Sequence, residues 1–247
     1  MMRCRAAMLF LNRCFFIFSC ALCLALMSQT QVHAEAPVEA VTFALEPGVL
    51  YVPLHEAADQ LHWEVQRDET GRCIQLHEFA IPAGSLRQLI DGTELIRTGD
   101  LQLAGAGINI REEDGRMTVW RGFYRFTLIV SPKQVEVSLA RQQLRGWQGG
   151  RLVLETRISS GRNGRTPAGN FTAGPFRARM HHSSLYHNAP MPWSVQINGH
   201  IFIHGFGYVP DYPASHGCVR MPLDRGNPAR FFYEWVLSGT PVSVKKD

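Results

Sequence analysis

Apolar residues in this chain alternate with polar ones over short runs, and Gly, Pro, Asn and Asp separate the runs. This pattern predicts many short strands and few helices. Tyr124–Val130 and Gln134–Leu139 alternate in this way on either side of Ser131-Pro132-Lys133, and Leu152–Ile158 follows as another strand. Upstream, Val49–Pro53 leads into Leu54–Leu61, where Leu54, Ala57, Ala58 and Leu61 fall on one helical face. Trp63-Glu64-Val65 and Cys73–Leu76 flank Asp68-Glu69-Thr70-Gly71 as a hairpin. Asp91-Gly92 and Asp114-Gly115 mark further turns, the second before Met117–Trp120. The pair Asn198-Gly199 predicts a two-residue hairpin turn that sets Ile197 opposite His200 and Trp193 opposite His204. Asn227-Pro228 opens a helix whose apolar face is Phe231, Phe232, Trp235 and Val236 and which Gly239 ends, and Pro241–Val244 is the last strand. The fold class expected is mainly β, an antiparallel sandwich or barrel with one helix near the C-terminus, preceded by a small α+β domain of short hairpins.

Residues 1–34 interrupt this picture. They hold Arg3, Arg5 and Arg13, no acidic residue, an apolar run from Phe15 to Met27, and Val32-His33-Ala34 ahead of Glu35. These features predict a secretory signal peptide cleaved after Ala34, with an apolar core short for a membrane span. A lipid-anchored reading through Ile17-Phe18-Ser19-Cys20 fits less well, because Phe18 and Ser19 are awkward there and a good cleavage site follows. The signal reading changes the charge balance. Three of the 25 Lys and Arg and none of the 21 Asp and Glu lie in it, so the formal charge of +4 becomes +1. The basic balance then says little about partners, and no nucleic acid is expected. The remaining 213 residues are divided as a first domain over 37–121 and a second over 124–247. Of six cysteines only Cys73 and Cys218 stay, and Cys218 is expected as a free thiol.

The candidate chemistry lies between Ile201 and Met221. His204 ends a strand, Gly205, Gly207, Pro210 and Pro213 shape a return, and Ser215-His216-Gly217-Cys218 follows. A thiol with a pKa of about 8.5 needs a base to become a strong nucleophile at neutral pH, and His204 is placed to serve. Gly217, without a side chain, lets backbone N–H groups approach a substrate carbonyl, as a tetrahedral oxyanion requires. The alternatives are weaker. His181, His182, His187, His204, His216 and Cys218 lack the short paired spacing of a zinc site, and adjacent His181 and His182 point to opposite faces if extended. No metal or organic cofactor is expected. The run Ser159–Gly169 lacks the Gly-Lys-Ser/Thr ending of a phosphate loop and reads as a rim loop, whose Arg162 and Arg165, with Arg157, could meet an anionic glycan or peptide.

At these residues the chain resembles the L,D-transpeptidase (YkuD-like) catalytic domain. The resemblance rests on His204, Ser215-His216-Gly217-Cys218-Val219-Arg220, Ser160-Gly161, Thr166-Pro167-Ala168-Gly169, His182-Ser183, Met191-Pro192 and Gly239-Thr240-Pro241-Val242, and so runs from about Tyr124 to the C-terminus. It differs from better-described members in a shorter loop from His204 to Ser215 and in Arg220, where many have Asn. The resemblance implies Cys218 as nucleophile, His204 as base oriented by the backbone carbonyl of Gly205 rather than by Asp211, and His216 and Gly217 at the oxyanion site. Arg220, Ser215, Tyr186 and Met191 are expected to line the substrate site, with Arg220 on a carboxylate. Trp193 reads equally as core. The implied partners are peptidoglycan stem peptides and, as an acceptor, an outer-membrane lipoprotein or other envelope protein, in the periplasm or cell envelope. Residues 37–121 resemble the stalk-like N-terminal domain of copper amine oxidases at Val52-Pro53-Leu54-His55-Glu56-Ala57-Ala58 and Trp63-Glu64-Val65. No copper is implied, since His55, His62 and His77 form no compact ligand set.

Overall fold

Two hydrophobic clusters organise residues 36–111 and 114–247, which the computed structural model describes; residues 1–34, read above as a signal peptide, lie outside them. Strands make up 45% of the described residues and three helices 12%, so the chain is mainly β.

The smaller cluster forms around the helix Leu54–Leu61, which buries Leu54, Ala57, Ala58 and Leu61, the face its spacing predicts. The helix packs on a sheet in which Val38–Glu39 runs parallel to Tyr124–Ile129, and Met117–Arg121 and Gly107–Ile110 follow antiparallel. Tyr124–Ile129 therefore pairs with the strand before it, not across Ser131-Pro132-Lys133. Gly122-Phe123 closes a tight turn with Arg121 opposite Tyr124, and that register points Val119, Phe126 and Leu128 into the core together. The hairpin around Asp68–Gly71 forms, although its first strand is Val65–Arg67 and leaves Trp63 outside.

The larger cluster lies between two sheets and a helix. One sheet orders Arg151–Arg157, Gln143–Gln148, Lys133–Ser138, Pro241–Lys245 and Gly169–Thr172; the other orders Arg177–Ser183, Ala189–Asn198, Ile201–Gly205 and Val219–Met221. Val137, Leu144 and Leu154 from the first meet Val195, Ile203 and Val219 from the second, with Phe232 and Trp235 of the helix Pro228–Trp235. Val41, Phe43, Tyr51, Leu89 and Leu95 from the first half of the chain belong to the same cluster. Asn227 caps the helix by accepting the Arg230 N–H at 3.0 Å. The helix stops at Trp235, earlier than the expected Gly239, because Val236 is already extended.

The hairpin before the candidate site differs from its expected register. Val195 faces Ile203 and Gln196 faces Phe202, after which a bulge at Ile197 sets Asn198 against Ile201. The turn is thus Gly199-His200, and the same ladder continued by one residue sets His204 against Ser194 rather than Trp193. The bulge inserts a residue that keeps Ile197 in the core, at 7% exposure. Trp193 packs against Tyr233, 5.6 Å between rings.

Lys133 is the least expected core residue. It is 7% exposed, and its Nζ donates to Thr42 O at 2.8 Å and Trp235 O at 2.6 Å. Burial pushes its pKa down to about 7, helped by the Arg177 charge. The amine is therefore easier to deprotonate in the fold than in the unfolded chain, which binds more protons between pH 7 and 10.5. The group's contribution to stability is smallest below pH 7 and grows as pH rises towards 10.5. Lys133→Met is expected to remove that slope from denaturant unfolding curves recorded across this range, and to destabilise the fold by about 1–3 kcal/mol through two orphaned carbonyls.

Candidate active site

Adjacent parallel strands bring the histidine and the cysteine together. In the pairing of Ile201–Gly205 with Val219–Met221, Ile203 faces Val219 and His204 faces Arg220, so Cys218 enters just before the first rung. The crossover between the strands is sewn to the run after Arg157. Ser159 and Arg220 exchange both backbone bonds at 3.0 Å, the Ala214 and Ser215 amides donate to Ser160 O, and Arg162 N donates to Ser215 O. The Gln142 side chain holds Ser160 from behind, its Oε1 accepting the Ser160 N–H at 2.8 Å and its Nε2 donating to Ser160 Oγ at 2.9 Å. Read from sequence as a rim loop, Ser159–Gly169 is also the clamp of the loop that carries Cys218.

Cys218, His204, His216, Arg220, Tyr186 and Met191 all line one cavity of about 360 Å³, together with Ser215 and Gly217. Gly205 stands behind it, where its carbonyl accepts the His204 Nδ1–H at 2.8 Å. That bond leaves Nε2 as the basic nitrogen. His204 is 4% exposed, and burial brings its pKa down to about 4; the Gly205 bond opposes this, while the Arg220 charge adds to it. Burial pushes the Cys218 thiol up, against the Phe202 backbone hydrogen bond and the Arg220 charge, which favour the thiolate. Both shifts run towards neutral forms, so the pair rests as thiol and imidazole. The Sγ–H donates weakly to His200 O at 3.6 Å.

His216 has a different role from His204. Its Nε2 lies 2.7 Å from Arg162 Nη2, and a guanidinium only donates, so the ring accepts there and carries its proton on Nδ1. Slight burial and the charges of Arg162, Arg165 and Arg220 hold its pKa below the usual range. The ring stacks on Tyr186, 4.3 Å between centroids, as a neutral wall of the cavity. The Gly217 N–H, expected to face substrate, is already engaged by Ser215 Oγ at 3.0 Å. Ser215 Oγ in turn donates to Cys218 O at 2.5 Å.

Arg220 lies over the Phe206 ring at 4.1 Å, and no carboxylate among the described residues pairs with it. Phe206 also meets His204 edge-on, 6.2 Å between rings. Sequence reasoning passed over Phe206, although its place between Gly205 and Gly207, directly after His204, was the available signal. Leu185, Pro190 and Ile201 add apolar lining that carried no such signal. Asp211 is exposed. Cys73 and Cys218 are both free, with Cys73 buried in the other cluster. No group of three or more His, Cys, Asp or Glu among the described residues is arranged to hold a metal.

Residues 132–244 match the family model of YkuD, the L,D-transpeptidase catalytic domain, which supports the family reading of that segment. No curated protein matches the chain. Among solved structures, similarity is found to an L,D-transpeptidase (Yku) from Stackebrandtia nassauensis, at 23% identity and a TM-score of 0.42, covering 47% of this chain and 57% of that one. An L,D-transpeptidase (residues 123–326) from Xylanimonas cellulosilytica is similar at 30% identity and a TM-score of 0.41, over 47% of this chain and 62% of that one. An L,D-transpeptidase from Mycobacterium smegmatis is similar at 14% identity and a TM-score of 0.42, over 85% of this chain and 100% of that one. The chain therefore spans less than two thirds of the first two structures. The family match begins at residue 132, and the comparisons do not show the resemblance of residues 37–121 to a copper amine oxidase domain.

A neutral resting thiol has a kinetic signature. In a Cys73→Ala background, alkylation of Cys218 by iodoacetamide is expected to quicken about tenfold per pH unit from pH 6 to 8, following the thiolate fraction. A rate flat across that range would instead reveal a preformed thiolate.

Proposed function

We propose that residues 132–244 carry a peptidoglycan L,D-transpeptidase in which Cys218 is the nucleophile and His204 the base. The observation that carries this reading is their placement at one cavity, His204 on a strand and Cys218 directly before its parallel neighbour, with Nδ1 of His204 tied to Gly205 O so that Nε2 is free. In the first half-reaction the thiol leaves the His200 carbonyl, gives its proton to His204 Nε2, and Sγ bonds to the carbonyl carbon of an L-centred residue preceding a terminal D-amino acid. By the family resemblance these are diaminopimelate and D-alanine. The oxyanion collapses, the C–N bond breaks, and the leaving amine takes the proton from His204. A thioester on Cys218 remains. An amine from a second stem peptide, a lysine of an outer-membrane lipoprotein, a free D-amino acid or water then opens it.

Arg220, with no carboxylate partner among the described residues and its guanidinium braced on Phe206, suits a substrate carboxylate. The Tyr186–His216 stack and Met191 form the walls beside it. The signal-peptide reading puts this reaction in the periplasm or cell envelope, and residues 37–121, which share part of their core with the catalytic half, support it and offer a surface for a partner there. With water as the acceptor the same residues make an L,D-carboxypeptidase. A protein that binds peptidoglycan without catalysis would need neither His204 nor a free Cys218.

Incubation of the mature protein with a disaccharide tetrapeptide is expected to give a covalent adduct on Cys218 with loss of D-alanine, seen by intact-protein mass and absent in Cys218→Ala. A crosslinked dimer among the products selects transpeptidation and a tripeptide selects hydrolysis, whereas binding without adduct or product defeats the enzyme reading. The acylation rate should hold from neutrality down to about pH 5 and halve near pH 4, where His204 gains its proton. An acid limb near 6.5 would mean that the base is not the buried ring seen here. Arg220→Ala is expected to raise KM for the tetrapeptide by about 10- to 100-fold, with less effect on kcat, and Arg220→Lys to restore little of it, because a paired guanidinium contact is lost in both.

A further inference from the structure

Thr166 has no part in the mechanism so far, yet its hydroxyl sits at the back of the nucleophile loop with only 3% of the residue exposed. Its Oγ1 accepts the Gly161 N–H at 2.7 Å and donates to Gly217 O at 2.6 Å. Neither bond can be reversed. An amide N–H only donates and a carbonyl only accepts, so the single hydroxyl proton is committed to Gly217.

The peptide between Gly217 and Cys218 is trans, since the described residues contain no cis bond. In a trans peptide the carbonyl and the following N–H point in opposite directions across one plane. A Gly217 carbonyl held towards Thr166 therefore turns the Cys218 N–H away from Thr166, a residue outside the cavity that Cys218 lines. A donor to the oxygen of a carbonyl attacked by Cys218 has to face that cavity. The amide one step earlier has the opposite fate, because the Gly217 N–H is consumed by Ser215 Oγ. Gly217 has φ +147, a conformation that side chains rarely adopt, and without a Cβ its flanking planes are free to rotate unless something pins them. Thr166 is the pin on the plane that matters.

We propose that Thr166 is a positioning residue for acyl transfer: by holding the Gly217 carbonyl, its hydroxyl aims the Cys218 backbone N–H as an oxyanion donor. The proposal rests on the acyl-transfer reading above and deepens it.

Two reactions of one sulfur separate this role from a merely structural one. Acylation by a disaccharide tetrapeptide develops charge on a carbonyl oxygen, whereas alkylation by iodoacetamide does not. Both rates are measured on the mature chain, with Cys73→Ala throughout. Thr166→Val is expected to slow acylation about 100-fold, the scale of losing one oxyanion donor, while alkylation stays within about twofold and Thr166→Ser returns acylation to within about fivefold of the parent. Parental acylation in Thr166→Val overturns the proposal. So does an equal fall in alkylation, or a failure of Thr166→Ser to restore acylation, since the hydroxyl would then serve only to keep the loop folded. A parent that is alkylated at Cys218 but never acylated removes the acyl-transfer reading itself, and this role with it.

Discussion

The site depends on two stretches of backbone meeting without side chains between them. A Cβ on Gly161 would lie 2.9 Å from the Cα of Gly217 and 2.7 Å from the amide nitrogen of Thr166, and one on Gly217 would meet Ile201 at 2.9 Å. At Gly161 no side chain fits without moving the backbone, at Gly217 the φ of +147 strains any side chain, and the close approach brings Ser159–Thr166 within hydrogen-bonding reach of Ala214–Arg220. Those bonds convert a return loop with prolines at 210 and 213 into a rigid support. Cys218 then owes its direction to backbone geometry and two serine and threonine hydroxyls, with no acidic residue involved.

Electrostatics inside the cavity follow from burial more than from charge. The Arg220 charge favours a thiolate at Cys218 and opposes a proton on His204, so it helps one half of an ion pair and hinders the other. Desolvation is the leading cause at both groups and favours the neutral form of each. In the proposed acyl transfer a neutral thiol beside a neutral imidazole lets the nucleophile wait for substrate, the proton moving as a carbonyl accepts the sulfur. The guanidiniums of Arg162 and Arg220 face a neutral ring and an aromatic face rather than a carboxylate.

Much of this was legible in the chain. The helix Leu54–Leu61, its buried face and the Asn227 cap follow from spacing and capping chemistry alone, which are local. The cavity residues were legible because chemistry concentrates rare residue types in a short stretch, Ser215 to Arg220, with His204 close before it. What was missed depends on pairing between distant residues or on which of two turns closes. The hairpin at Asn198-Gly199 slipped by one residue because a bulge at Ile197 satisfies core burial, which no turn rule sees. Tyr124–Ile129 pairs backwards because Gly122-Phe123 is a tighter turn than its composition announces. Lys133 reads as a polar residue at a strand start, and only the three-dimensional meeting of Thr42 and Trp235 explains why a lysine belongs in that core.

The first half of the chain reaches the site through one helix. Gly205, whose carbonyl orients His204, has no room for a side chain: a Cβ there would lie 2.4 Å from Leu223 and 3.2 Å from Ala229, in the first turn of Pro228–Trp235. That helix and the Leu223 turn before it thus pack directly against the strand that carries His204. Its other end is bonded to the N-terminal segment, since Trp235 O and Thr42 O share the Lys133 amine and Ala44 N donates to Glu234 O at 2.7 Å. Arg87 adds a third tie, joining the carboxylate of Glu234 to that of Glu46. These contacts are buried or half-buried and hydrogen-bonded, so they resist the small displacements to which a hydrogen bond of 2.8 Å between His204 and Gly205 is sensitive. The N-terminal segment is therefore part of the scaffold behind His204, tied through Thr42 and Glu46 to the helix that packs on its strand.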